Sequence, residues 1–190
     1  MNFNKRLTLF QSTLTQTEAS DRAGELFSVE DGLSHAYALL TLLRSNQKRL
    51  FIIGNGGSAA IASHAVIDFL NVANISAHTL HDSAVMTCMA NDYGYEQGFA
   101  RILDRFAQAD DVLIAISSSG KSENILNAVA MARNSGSQVI TLSGFSPSNP
   151  LRVLGDINFW LPSNDYGLVE VGHQFILHNL SDRFLGEKGR

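Results

Sequence analysis

The sequence predicts an α/β fold: a doubly wound parallel sheet of five strands with helices on both faces, and two extra helices ahead of the first strand. Three observations carry this. Residues 111–116, DVLIAI, form the continuous apolar run that a parallel strand buried on both faces requires. From Arg49 onward, short runs of this kind alternate with segments of helical period. Two of the runs stop at small-residue loops, FIIGNGGS at 51–58 and AISSSGKS at 115–122, where strand gives way to helix.

In chain order, residues 2–19 are polar with spaced apolar positions, Phe3, Leu7, Leu9, Phe10 and Leu14, which predicts a helix with one apolar side. Ser28-Val29-Glu30-Asp31 reads as a helix start with Ser28 as N-cap. That helix runs to about Ser45, with Leu33, Ala36, Leu40 and Leu43 inward. These two helices precede any βα repeat and suit subunit packing. Strand one is 49–53, and its helix spans about 57–73. Residues 75–80 are strand two, and Ser83 caps a short helix through Met89. Asn91-Asp92-Tyr93-Gly94 is a turn cluster, followed by a helix from Tyr95 to Gln108. Strand three is 111–116, and its helix spans 122–135 with Gly136 at its C-terminal cap. Residues 138–142 make strand four and 156–161 strand five, with the loop 143–149 between them. After the loop 162–167, a last helix runs from Leu168 to about Leu185. No linker or low-complexity tract divides the chain, so residues 1–190 read as one domain, with 1–46 as the packing helices and 47–190 as the α/β core.

The totals narrow the function classes. A length of 190 residues allows a sizeable core. A net charge of −4 argues against a broad nucleic-acid surface. The single cysteine, Cys88, rules out a disulfide framework within the chain and suits a reducing compartment. No apolar stretch has the form of a signal peptide or the length to cross a membrane. A cytoplasmic protein is expected, and its apolar balance of 45% hydrophobic residues favours an oligomer.

In doubly wound sheets the ligand sits beyond the carboxyl ends of the strands. The loops 54–58, 117–122 and 162–167 collect there. Ser117, Ser118, Ser119 and Ser122 put four hydroxyls after the most buried strand and at a helix N-terminus, a donor set suited to phosphate. The spacing is not that of a Walker loop, and GNGGS at 54–58 is not the dinucleotide fingerprint. The glycines let backbone approach a ligand closely. Farther along, His64 and Asp68 share one helix face, as do Glu170, Gln174 and His178 on another. Two helices that each carry an imidazole and a carboxylate can hold a divalent metal such as zinc, or act as an acid–base pair. Eight helical residues rise about 12 Å, so Glu170 and His178 reach one metal only at the limit of their side chains. Glu170 and His173 form a more comfortable E-x-x-H pair, and by spacing alone His173 rivals His178. His35, His78 and His81 receive no role.

Several motifs in order, GNGGSAAIASH at 54–64, ANDYGY at 90–95, ISSSGKS at 116–122, VITLSG at 139–144 and a final E-x7-H, resemble the sugar isomerase (SIS) domain, closest to the sedoheptulose 7-phosphate isomerase (phosphoheptose isomerase) group. The resemblance covers about residues 30–186. It implies a flavodoxin-like SIS fold and aldose–ketose isomerisation of a phosphosugar through an enediol, in heptose biosynthesis for lipopolysaccharide or capsule. It places substrate contacts at Asn55, Gly56, Gly57, Asp68, Asn91, Asp92, Ser117, Ser118, Ser119, Ser122 and Glu170. It places metal ligands for zinc or another divalent ion at His64, Asp68, Glu170 and His178, which favours His178 over His173. Its acid–base pair falls on Asp68 and His178. It also implies a homotetramer acting on a small sugar phosphate, with no direct nucleic acid or membrane partner. The chain departs from the family's pattern at two of these places, where Asp68 stands for a glutamate and Glu170 for a glutamine, and at two others, where Gly167 stands for an aspartate and Leu70-Asn71-Val72 for an arginine-containing segment. A different use of the same fold is non-catalytic, as a tetramer that binds the replication initiator DnaA or as a sugar-phosphate sensor.

Overall fold

The computed structural model describes residues 2–187. Helix α1 (Phe3–Thr15) is followed by a hairpin, β1 (Glu18–Asp21) and β2 (Leu26–Phe27), and then by α2 (Val29–Ser45). The repeating part runs β3 (Arg49–Ile53), α3 (Gly57–Asn71), β4 (Ser76–Thr79), α4 (Ser83–Tyr93), α5 (Gly98–Phe106), β5 (Val112–Ser117), α6 (Glu123–Asn134), β6 (Gln138–Ser143), β7 (Ile157–Trp160) and α7 (Tyr166–Asp182). One seven-stranded sheet has the order β2-β1-β7-β6-β5-β3-β4.

The five strands from β3 to β7 are parallel, as the sequence predicts. The N-terminal hairpin was not predicted. Residues 18–21, the first two of which were expected to end the first helix, instead pair antiparallel to β7, with Ala19 opposite Phe159. Four residues are too few to show a period. This strand forms because β7 offers an open edge, and Asn158 reinforces it by donating to the carbonyls of Ser20 and Asp21. A tertiary contact therefore overrides the local pattern.

Other boundaries differ for identifiable reasons. Ser28 caps α2 as the sequence predicts, accepting from the Asp31 amide at 3.0 Å. Helix α4 is capped by Asp82, not Ser83, through the Val85 amide at 2.9 Å. It continues through the expected turn residues Asn91–Tyr93 and stops at Gly94, whose φ is +86°. The two faces of β5 feed two cores. Ile114 and Ile116 join Leu40, Phe69 and Phe184 under α2, α3 and α7. Leu113 and Ala115 join Phe99, Ile125 and Val129 under α5 and α6. The strand order reverses between β3 and β5, so the loops leaving these two strands face each other across the switch point.

Candidate active site

The loop after β3 turns within a few residues. A Cβ at Gly54 would lie 2.6 Å from the Ser58 backbone, and Gly56 holds φ +54°, so both positions need glycine. Across the switch point, β5 ends at Ser117 and α6 begins after Ser122. Ser122 is the N-cap, yet its hydroxyl makes no capping bond. It lies 3.3 Å from the Ser117 hydroxyl instead. The Ser118 hydroxyl is buried with no hydrogen-bond partner. A buried orphan hydroxyl costs stability unless something bonds to it, so it marks the place where a ligand oxygen would sit. Together Ser117, Ser118, Ser119, Ser122, Asn55 and Glu170 line a cleft of about 130 Å³.

Glu170 enters this cleft from α7. Its carboxylate lies so close to Gly57, the first residue of α3, that a Cβ there would come within 2.4 Å of Oε1. Helices α3 and α7 run side by side from that point. Two turns farther along the seam, Asp68 Oδ2 lies 3.5 Å from His64 Nε2 and 3.4 Å from His178 Nδ1. The two imidazole rings stand edge to face at 5.1 Å. One donor atom from each of His64, Asp68 and His178 falls within 4.8 Å of the others. Asp68 Oδ2 is itself buried without a hydrogen-bond donor. Two imidazoles and a carboxylate of this kind fit a divalent cation with a position left open for substrate. Glu170, expected in the same set, does not fall within this group; its carboxylate lies against Gly57 instead.

The choice between His173 and His178 is settled by burial. His173 is fully buried and donates from Nε2 to the Ser143 carbonyl at 3.1 Å. Burial pushes its imidazole down to about 4. It is a core residue, and the E-x-x-H reading fails. Asn91 and Asp92 lie at the exposed end of α4, bonded to each other at 2.8 Å, and do not line the serine cleft.

The family model for the SIS domain matches residues 12–144. The chain belongs to the SIS domain family. A phosphoheptose isomerase of Helicobacter pylori is 35% identical over 163 residues, 83% of this chain and 84% of that one. A phosphoheptose isomerase of Helicobacter hepaticus is 34% identical over 88% of each chain. Among solved structures, a phosphoheptose isomerase from Francisella tularensis superposes with a TM-score of 0.81 at 28% identity, covering 98% of this chain and 99% of that one.

Four residues of this SIS domain have no role predicted from the sequence. Tyr166, at the start of α7, closes one side of the cleft. His81 lies beneath the first loop, where Nε2 accepts from the Gly54 amide at 3.3 Å and the ring packs against Phe99. Burial pushes the His81 imidazole below its ordinary value. Asn124 and Tyr95 both bond to Asn55. Only Asn124 had a readable signal, its place two residues after Ser122 in the first turn of a helix.

Proposed function

We infer that this SIS domain is a phosphosugar isomerase, converting sedoheptulose 7-phosphate to the aldose D-glycero-D-manno-heptose 7-phosphate through an enediol. The observation that carries this is the pairing of a phosphate-sized serine cleft, with its orphaned Ser118 hydroxyl, and an imidazole–carboxylate group farther along the same helix seam. Such a layout fits a ligand with a phosphate at one end and a carbonyl at the other. The relatives that are 34–35% identical carry the same activity in their names.

In this reading Ser117, Ser118, Ser119 and Ser122 bind the phosphate with the favourable field of the α6 N-terminus. Anchoring that end fixes the reacting carbons relative to Asp68 and His178. Asp68 takes the proton from the carbon next to the carbonyl. His178, 3.4 Å away, carries the proton needed at the neighbouring oxygen. Zinc or another divalent ion held by His64, Asp68 and His178 would polarise the carbonyl when bound. Asn55, Gly56 and Gly57 bound the sugar side, and Glu170 lines the serine cleft beside Gly57. We take the assembly to be a homotetramer, supported by the exposed apolar positions Phe3, Leu7, Val171 and Phe175 on α1 and α7. Among the described residues no helix is long and apolar enough to cross a membrane, and we place the enzyme in the cytoplasm.

The test is conversion of sedoheptulose 7-phosphate by wild type, Asp68→Asn and His178→Ala. Each variant should lose roughly 100- to 10,000-fold in kcat, the usual contribution of a positioned acid or base. An active wild type whose variants keep full kcat removes the assigned roles.

A further inference from the structure

Asn55 is held on two sides by groups with no assigned part in the reaction. Its Nδ2 donates to Asn124 Oδ1 at 2.9 Å, and Asn124 Nδ2 donates back to Asn55 Oδ1 at 2.9 Å. The Tyr95 hydroxyl donates to the same Asn55 Oδ1 at 2.8 Å. Asn124 is almost fully buried in the first turn of α6, while Tyr95 is half exposed beyond Gly94.

The count of donors and acceptors decides what remains. An amide oxygen has two lone pairs, and an amide nitrogen two hydrogens. Both lone pairs of Asn55 Oδ1 are used, but only one hydrogen of Nδ2. Asn55 lines the cleft, so what it has left to offer a ligand is one N–H. A free asparagine amide can turn over and exchange donor for acceptor. Here, turning it would set Asn55 N–H against the Asn124 N–H unless both amides turned together. Even then the Tyr95 hydroxyl would have to cease donating.

We propose that Asn124 and Tyr95 are positioning residues that lock the Asn55 amide with its N–H toward the sugar, so that Asn55 recognises an acceptor oxygen of the substrate, a carbonyl or a hydroxyl lone pair. The amide pair also ties the loop after β3 to the turn of α6 that carries Ser122, and so fixes the distance between the sugar and phosphate sides of the cleft. This rests on the isomerase reading for the identity of the sugar.

The test is a double-mutant cycle. Dissociation constants are measured by calorimetry for sedoheptulose 7-phosphate and, separately, for inorganic phosphate, alongside turnover. Tyr95→Phe should weaken sugar-phosphate binding by roughly 3- to 10-fold and Asn124→Ala by roughly 10-fold or more, as for loss of one or two hydrogen bonds. Inorganic phosphate, which reports on the serines, should bind each variant as it binds wild type. In an Asn55→Ala background neither substitution should have a further effect. Should Asn124→Ala fail to fold, Tyr95→Phe, on a half-exposed side chain, carries the same test. Equal losses with and without Asn55, or parallel losses for inorganic phosphate, would overturn the proposal and leave a structural role only. A wild type that turns over the sugar while the cycle is additive sinks this inference alone. A wild type that binds phosphate but neither binds nor converts the sugar sinks the isomerase reading, and this inference with it.

Discussion

Acid should unfold this protein partly through one residue outside the active site. His173 is fully buried beneath the end of β6 and donates to the Ser143 carbonyl, while its Nδ1 is buried with no partner. Desolvation lowers its pKa from 6.5 to about 4. The folded state therefore keeps the ring neutral where the unfolded chain would protonate it. The stability that follows is fully present above pH 6.5 and is lost as pH falls from there toward 4. A difference of one in pKa between the two states is worth about 1.4 kcal/mol, so the full loss is about 3 kcal/mol, a large share of a typical domain's stability. His173→Gln keeps an N–H for the Ser143 carbonyl but cannot titrate. The assay is urea unfolding of both proteins at one fixed protein concentration, from about pH 7.5 down to about 4.5, since any assembly makes stability concentration-dependent. The variant should be less stable at the upper end of that range, by about 1–2 kcal/mol for imperfect packing. Its disadvantage should shrink and then reverse as pH drops. Groups common to both proteins cancel in the difference. Parallel pH profiles would refute the argument, because they would mean that His173 does not titrate differently in the two states.

Three further outcomes follow from the site. Gly54→Ala puts a Cβ against the Ser58 backbone, which cannot swing aside, and should cost about 3 kcal/mol in unfolding free energy, whereas a neutral result would mean the loop relaxes freely. Ser118→Ala removes a hydroxyl that has no protein partner, so thermal melting should show no loss of stability while inorganic phosphate binds about tenfold more weakly, as expected for one hydrogen bond to a charged group. Wild type, stripped with chelator and titrated with zinc by calorimetry, should take up one equivalent, and His64→Ala should bind at least about tenfold more weakly; equal binding by the two would show that the metal sits elsewhere.

The sequence by itself determined the parallel sheet, because a strand covered on both faces must be apolar at every position and DVLIAI leaves little else to build. It also placed the serine loop between a buried strand and a helix start, where the structure has it. His64 and Asp68 were readable because four residues bring two side chains onto one helix face. Other features lay beyond local pattern. The strand at Glu18–Asp21 exists only because β7 has an open edge. His173 and His178 are five residues apart on one helix, and only the packing of α7 against the sheet and α3 buries the first and brings the second to Asp68. Glu170 shares a helix with His178, yet its carboxylate ends against Gly57, a contact that the packing of α7 on α3 sets and that spacing along one helix does not reveal. The Asn55–Asn124–Tyr95 contacts join residues up to 69 positions apart. Local periodicity reports which face a residue occupies; which residue it meets there is decided by how the faces pack.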